Sequence, residues 1–297
     1  MKPYSFLDPQ VLARIDNLEL LARTVVDGFI NGLHRSPYLG LSIDFAEHRP
    51  YMPGDDIRRI DWRVFGRTDR FYVKQFEADT NANFLVILDV SRSMDYASGG
   101  ITKLDYARYL AACLSYFSRQ QRDRVGLVTI DNDIIEMVPP SAKHLEIVLH
   151  TIERVRPGGS GGIEPPLRKV AEAIKRRSIV ALISDLYDEP QAIVRAASYL
   201  RNKGNDVLVF HVLDPAEIEF PFEGAVHFED LESGERIPVI PERQREQYLQ
   251  LMNAHLAETS RLLAENRIDY FRFDTRQPLD YALFSYLSRR EKLSRVR

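Results

Sequence analysis

Short apolar segments alternate with longer segments of helical periodicity along most of the chain, and this alternation constrains the fold more than any other feature. The run from Phe84 to Leu88 contains no polar residue, which is typical of a strand buried on both faces of a parallel sheet. Five further strands are predicted at 124–130, 134–138, 179–184, 207–213 and 268–273. Strands that alternate with helices predict an α/β fold with a doubly wound, mostly parallel six-stranded sheet and right-handed crossovers.

Helical periodicity fills the intervals between most of these strands. The predicted helices lie at 104–117, 145–155, 165–175, 191–201, 242–265 and 279–287. Residues 217–241 do not fit this scheme and predict a β-hairpin that turns near Ser233 and Gly234. The hairpin is therefore an insertion within a single α/β domain that covers residues 81–297.

The first 80 residues follow a different pattern. Apolar residues recur at three- and four-residue steps over 9–33, which predicts a helix. Residues 34–70 are rich in Pro, Gly, Arg and Asp and have no sustained period, and a short strand is predicted at 71–76. The sequence thus predicts an N-terminal helical and irregular extension over 1–80.

Composition narrows the choice of partners and compartment. The formal net charge of -3 argues against broad binding to nucleic acid or an anionic membrane. The single cysteine, Cys113, cannot form an internal disulfide, which favours a reducing compartment. All apolar runs are far shorter than the roughly 20 residues of a membrane-spanning helix, and the N-terminus does not resemble a signal peptide. We therefore expect a cytoplasmic protein without membrane insertion and without a nucleic-acid partner.

Aspartates stand at the ends of two buried strands. Asp89 ends the first strand, and Asp185 follows the strand at 179–184. Open α/β sheets bind ligands at the carboxyl ends of their strands, so the two carboxylates face each other if these strands are neighbours. Ser91 and Ser93 add hydroxyls at alternate positions of the same loop, and such oxygens suit a hard cation such as Mg²⁺. The alternative is that these residues only cap the following helix.

Two motifs resemble known families. Asp89-Val90-Ser91-Arg92-Ser93 resembles the metal-ion-dependent adhesion site of von Willebrand factor A domains. Upstream, the segment from Arg49 to Trp62 (RPYMPGDDIRRIDW), followed by Arg67-Thr68 and VKQFE at 73–77, resembles the signature of the bacterial domain-of-unknown-function family 58. The resemblance covers about residues 35–190, and the later strands fit a von Willebrand A topology.

The resemblance implies an incomplete metal site for Mg²⁺ or Mn²⁺, and no nucleotide. In von Willebrand A domains two loop serines and a threonine contact the metal, while two aspartates usually act through water. Ser91, Ser93 and the two strand-end aspartates match these positions. The threonine position falls on Gly161, in a Gly-Gly-Ser-Gly-Gly loop, and the adjacent Ser160 is the possible substitute.

The resemblance also implies a partner. Members of this family are often encoded beside MoxR-type AAA+ ATPases and are thought to act with them as adaptors or chaperone components. Arginines and aromatic residues crowd the segment 49–76, and both types are enriched at interface hot spots. The candidate partner-binding residues are Arg58, Arg59, Asp61, Trp62 and Arg67. The alternative is that these arginines pair with neighbouring aspartates and fasten the extension to the domain.

A metal-dependent hydrolase that uses the same crevice is the alternative function. It lacks an obvious general base, because no histidine falls in the loops after the first and fourth predicted strands. Residues 158–162 match Gly-x-Ser-x-Gly, but that nucleophile motif needs a strand before it and a helix directly after it. We therefore predict a non-catalytic interaction module rather than an enzyme.

Overall fold

The computed structural model describes residues 9–15, 17–35, 48–50, 65–66, 70–74, 82–159, 161–231 and 234–295. The helices are α1 (Pro9–Leu12), α2 (Leu18–Arg35), α3 (Lys103–Gln120), α4 (Leu145–Arg154), α5 (Glu164–Ala173), α6 (Pro190–Asn202), α7 (Pro215–Glu219), α8 (Pro241–Glu265) and α9 (Leu279–Arg295). The strands are β1 (His48–Pro50), β2 (Tyr72–Lys74), β3 (Asn83–Asp89), β4 (Arg124–Ile130), β5 (Ile134–Ser141), β6 (Ser178–Ser184), β7 (Asp206–Leu213), β8 (Val226–Glu229), β9 (Arg236–Val239) and β10 (Asp269–Asp274).

The central sheet has six strands in the order β10-β7-β6-β3-β4-β5. Every neighbouring pair is parallel except β4 with β5, which is antiparallel. The first strand of the sheet, β3, therefore lies inside it, and the chain winds outward from β3 in both directions. This arrangement confirms the predicted doubly wound, mostly parallel α/β fold.

Two helical layers cover the sheet because side chains on successive strand residues point to opposite faces. In β3, Phe84, Val86 and Leu88 pack with the layer formed by α1, α2, α3, α4 and α9. Leu85 and Ile87 pack with the opposite layer, formed by α5, α6 and α8. Burial on both faces explains why this strand has no polar residue between Asn83 and Asp89.

The N-terminal helix α2 belongs to the first of these layers. Its buried face includes Leu21, Val25 and Val26, which join the same apolar cluster as α3 and α9. The predicted strand at 71–76 is found as β2, which pairs with β1 in a two-stranded antiparallel ribbon, and residues 75–76 lie outside the described part of the chain.

The segment predicted as a hairpin begins with a helical turn. Residues 215–219 form α7, and the antiparallel pair β8–β9 follows it. Asp214 caps this turn, and its backbone N–H is in turn bound by the Glu217 carboxylate, while Pro215 occupies the first turn. This reciprocal cap makes residues 217–219 helical, so the prediction placed the start of the hairpin too early.

Within the described ranges, no helix combines the length and apolar character needed to cross a membrane.

Candidate functional site

The carboxyl ends of β3 and β6 lie side by side. The two strands pair in parallel, with Leu88 beside Ile183, so the residues that follow them share one edge of the sheet. A pocket opens there, which we call the carboxyl-end crevice. Its polar lining comes from Asp89, Ser91, Ser93, Asp131, Ser184, Asp185 and Asp188. The structure therefore brings together four of the five residues considered for metal binding, and the fifth, Ser160, lies outside the described residues.

Asp89 is buried and held on both carboxylate oxygens. Its Oδ1 accepts a hydrogen bond from the Ser91 backbone N–H at 2.9 Å, and its Oδ2 accepts one from the Ser184 hydroxyl at 2.6 Å. Burial, and then the nearby charge of Asp185, raise the pKa of Asp89 from 3.8 to about 6. The Asp89 carboxylate is therefore charged at neutral pH, although its removal from water disfavours the charged form.

Ser184 is a site residue that the sequence did not single out. Besides donating to Asp89, its hydroxyl accepts a hydrogen bond from the Leu186 backbone N–H at 3.0 Å. Leu186 has a φ of 50°, in the left-handed region that disfavours bulky side chains, and it is buried. Ser184 therefore links the two strand ends and holds the strained turn that carries Asp185.

The two loop serines lie next to each other at the crevice. A 3-10 helix from Arg92 to Asp95 follows Ser91, and the hydroxyl oxygens of Ser91 and Ser93 are 3.1 Å apart. Both side chains line the pocket, as does Asp89. Two hydroxyls and a carboxylate are thus available on one short loop to a ligand that prefers oxygen.

Lys103 is a second site residue that the sequence did not reveal. It is the first residue of α3, yet its side chain is completely buried. Its Nζ donates to Asp185 Oδ2 at 2.7 Å and to Glu217 Oε1 at 2.6 Å. Burial lowers the pKa of Lys103, but the two carboxylates outweigh that effect and leave the pKa raised, so the ammonium stays charged.

A glycine-rich loop closes one side of the crevice. The Gly158 N–H donates to the Val90 carbonyl at 2.6 Å, and the Gly159 N–H donates to Asp131 Oδ2 at 3.0 Å. The Arg92 N–H donates to the Gly159 carbonyl at 3.2 Å. The loop is therefore fastened to the segments that follow β3 and β4.

Gly161, the position that corresponds to the missing threonine, has no room for a side chain. A Cβ at this residue would lie 2.4 Å from Asn132 Cβ and 2.8 Å from Asn132 Cα. Asn132 follows directly on Asp131 after β4, so the obstacle includes backbone atoms. The threonine is absent, and its space is filled.

The last of the lining carboxylates has a structural role. Asp188 Oδ2 accepts a hydrogen bond from the Ile163 N–H at 2.8 Å, directly before α5 begins. An acceptor at this position satisfies a backbone N–H that the helix itself leaves without a partner. Asp188 therefore ties the end of the glycine-rich loop, where α5 begins, to the segment that follows β6.

The carboxylate and hydroxyl oxygens of the crevice are the types of ligand that a hard divalent cation prefers. Ser91 and Ser93 would hold such an ion, with the carboxylate of Asp89 behind them. Two features reduce the fit: no threonine oxygen is present at Gly161, and the Asp185 carboxylate is bound by Lys103. In the described part of the chain, no three Asp, Glu, His or Cys side chains form a cluster that could hold a metal.

His211 lies behind Asp185 and is locked in one neutral form. Its Nε2 is 2.7 Å from the Asp185 carbonyl oxygen, and its Nδ1 is 2.7 Å from the Tyr270 hydroxyl. A carbonyl only accepts, so Nε2 carries the proton and Nδ1 accepts from Tyr270. Burial lowers the pKa of His211 to about 3. With both ring nitrogens engaged, this histidine positions the Asp185 backbone and has no nitrogen free to act as a base.

The predicted partner-binding residues, Arg58, Arg59, Asp61, Trp62 and Arg67, lie outside the described residues. Close to them in sequence, Phe65 and Phe71 stack with ring centroids 4.4 Å apart. Phe71 remains 45% exposed, so this stacked pair presents an aromatic surface to solvent.

The sheet order, together with the Asp-x-Ser-x-Ser loop that follows its inner strand, defines a von Willebrand factor A-type domain. The family described as protein of unknown function DUF58 matches residues 47–258, and the chain belongs to this family. An uncharacterised protein of Mycobacterium tuberculosis, Rv1480, is 30% identical over 263 residues, which cover 86% of this chain and 82% of the relative. The uncharacterised protein Mb1516 of Mycobacterium bovis is similar to the same extent.

Solved structures of low sequence identity also match this chain. The conserved hypothetical protein BatB of Bacteroides thetaiotaomicron superposes with a TM-score of 0.50 at 20% identity, over 71% of this chain and 99% of that chain. The SpRpn10 VWA domain gives a TM-score of 0.39 at 10% identity, over 67% of this chain and 92% of that chain.

We predict that introducing at Gly161 the threonine expected from the resemblance to von Willebrand A domains will harm the protein. Gly161→Thr should lower the free energy of unfolding by about 1–3 kcal/mol, because the new side chain would overlap Asn132. Gly159→Ala is the matched control, since a Cβ there meets its nearest atoms at 3.6 and 3.8 Å, and it should change stability by less than about 0.5 kcal/mol. Urea unfolding of both variants measures the difference, and equal stabilities would show that the loop adapts freely.

We also predict that the Asp89 carboxylate costs stability at neutral pH. Because its pKa is raised on folding, the folded protein binds more protons than the unfolded chain between pH 3.8 and about 6, and this carboxyl lowers stability as pH rises through that window. Asp89→Asn removes the charge, so it should gain stability relative to the wild type between pH 4 and 7.5, by about 1–3 kcal/mol.

Unfolding of both proteins in urea at several pH values, with EDTA present, measures this relative gain. Contributions from titrating groups that do not interact with Asp89 cancel in the difference between the two proteins. A difference that stays constant with pH, or that falls as pH rises, would contradict the burial of a charged Asp89.

Proposed function

We propose that this protein is a non-catalytic adaptor that binds a protein partner at the carboxyl-end crevice. The observation that carries this proposal is the pairing of β3 with β6, which delivers Asp89, Asp185 and two serine hydroxyls into one open pocket. A desolvated carboxylate and a strained turn at one place cost free energy, and such costs concentrate at functional sites.

The proposed partner is a MoxR-type AAA+ ATPase, and the proposed work is chaperone-like or complex assembly. This part of the proposal rests on family membership rather than on the pocket. A bound Mg²⁺ or Mn²⁺ would offer a positive charge to an acidic group of the partner, and Ser91, Ser93 and Asp89 would keep the ion at the crevice.

We place the adaptor in the cytoplasm. Cys113 is a free thiol buried on α3, and its burial raises its pKa, so it is protected from oxidation rather than used in redox chemistry. A chain with one buried, unpaired cysteine and no use for a disulfide suits a reducing compartment.

The hydrolase alternative finds no support in the described residues. The lining of the crevice includes carboxylates, hydroxyls and glycines but no histidine. The nearest candidate base, His211, is neutral with both nitrogens engaged. Asp89-dependent turnover in a screen of phosphate and carboxylate esters would favour the hydrolase over the adaptor.

We predict that the serine hydroxyls are needed for binding to the partner. Ser93→Ala removes one oxygen from the crevice and should weaken capture of a purified MoxR-type AAA+ ATPase at least about tenfold in the presence of Mg²⁺. Ser198→Ala makes the same change two turns along α6 and should leave binding unaltered. Biolayer interferometry measures both, and equal affinities would remove the crevice from the interface.

The segment 49–76 makes a separate prediction. Replacing Arg58 and Arg59 with glutamates should abolish capture of the same ATPase if this segment is part of the docking surface. A partner surface that is complementary to the arginines would repel the glutamates. Circular dichroism must show an unchanged fold. Full capture by a folded variant would assign these arginines a purely structural role within the extension.

A further inference from the structure

A buried ammonium already occupies the position beside Asp185 where a positive charge is needed. We propose that Lys103 is the built-in cation of the carboxyl-end crevice: it holds Asp185 without a metal, and it lowers the affinity of the crevice for a divalent ion. This inference deepens the proposed function, since the ion in question is the one that would assist docking.

The geometry makes Lys103 a fixed charge rather than a mobile one. Its side chain has no exposure to solvent, and its Nζ lies 2.7 Å from Asp185 and 2.6 Å from Glu217. The ring of Tyr187 covers it, with the centroid 4.7 Å from Nζ. Water therefore does not screen this charge, and a lysine head group enclosed in this way cannot swing out to make room for an ion.

Glu217 is the second carboxylate that holds the lysine. One of its oxygens accepts from Lys103, and the other accepts from the Asp214 N–H at 2.7 Å, which caps α7. The Tyr248 hydroxyl, on α8, donates to the Glu217 carbonyl at 2.9 Å. The lysine is thus attached to a helical turn that is itself held in place by α8.

Asp185 is fixed just as firmly. Its backbone carbonyl accepts from His211, and the turn that follows it is held by Ser184. Its Oδ2 is taken by Lys103. A divalent ion that drew on Asp185 would have to compete with Lys103 for this carboxylate, and it would meet the repulsion of a second positive charge that solvent does not screen.

The test removes the built-in charge without changing the net charge. In the double variant Lys103→Met with Glu217→Gln, one positive and one negative group are lost together. Methionine fills the apolar space of the lysine stem, and glutamine retains an oxygen that can accept from the Asp214 N–H. Asp185 is then left as an unpaired carboxylate at the crevice.

Isothermal titration of the metal-free proteins with Mn²⁺ measures the effect. We expect the double variant to bind Mn²⁺ at least about tenfold more tightly than the wild type, since a nearby like charge has been removed. Adding Asp89→Ala to the double variant should abolish this gain, which would locate the ion at the crevice.

The matched control removes another lysine–carboxylate pair from the same side of the molecule. Lys169 Nζ lies 2.6 Å from Asp133 Oδ2, and both side chains are about half exposed. Lys169→Met with Asp133→Asn makes the same net-neutral change, and it should alter Mn²⁺ affinity by less than about twofold because solvent screens that pair.

The outcomes separate this inference from the proposed function. Equal Mn²⁺ affinity in the wild type and the double variant, or no binding by either, would make Lys103 a purely structural residue and overturn the inference. The proposed adaptor function is tested separately, by capture of the ATPase by the wild type and its loss in Ser93→Ala, and that result does not depend on the Mn²⁺ titration. Should the double variant fail to fold, Mn²⁺ should restore its folding by replacing the lost charge beside Asp185, and failure of this rescue would likewise overturn the inference.

Discussion

The burial of two like charges at the ends of neighbouring parallel strands is the constraint on which the rest of the site depends. Parallel pairing of β3 with β6 places Asp89 and Asp185 at one edge of the sheet, where the preceding strand residues 84–88 and 179–183 are all apolar. Isolated carboxylates in such surroundings would be prohibitively unstable, so each requires compensation from its neighbours. The two are compensated differently. Asp89 relies on neutral donors and keeps a raised pKa, whereas Asp185 has a full positive charge at hydrogen-bonding distance.

This difference has consequences for how a partner or an ion meets the crevice. Beside Ser91 and Ser93, the Asp89 carboxylate is met only by neutral donors among the described residues, whereas the charge of Asp185 on the β6 side is neutralised by Lys103. The crevice is therefore electrostatically asymmetric. An incoming positive group is attracted to the Asp89 side, and Lys103 keeps the Asp185 side formed whether or not such a group is present.

Sequence patterns predicted the sheet, the crevice and most of its oxygens, because these follow from local signals. A few consecutive residues are enough for this prediction, because an apolar run that ends in aspartate indicates a buried strand and its ligand-binding end. Lys103 could not be found in this way. It opens a helix, where a lysine is normally solvated, and its partner Glu217 lies 114 residues further along the chain. Only the fold shows that the start of α3 and α7 meet beneath the crevice.

Other features were present in the sequence but were outweighed by a competing pattern. The cap of α7 is visible as Asp214-Pro215 followed by Glu217, yet the polar alternation downstream suggested a hairpin over the whole segment. The resemblance to von Willebrand A domains placed the threonine position at Gly161, but it did not show the Asn132 atoms that leave no room for a side chain there. Local sequence patterns predict the secondary structure and the chemistry of a residue. The close approach of two loops depends on tertiary packing, which these patterns do not contain.

The costs that the fold accepts are concentrated around one pocket, and this argues that the crevice was selected for something other than stability. Leu186 occupies a left-handed conformation that glycine would adopt without strain, and Asp89 is charged where asparagine would be neutral and would keep one oxygen to accept a hydrogen bond. Neither feature is needed to build a parallel sheet, since the apolar faces of β3 and β6 already supply that driving force. A charged, desolvated carboxylate becomes favourable only when a positive group arrives to meet it. Binding of such a group would recover free energy that the buried charge costs on folding, and this is the physical basis for proposing the crevice as the interaction site.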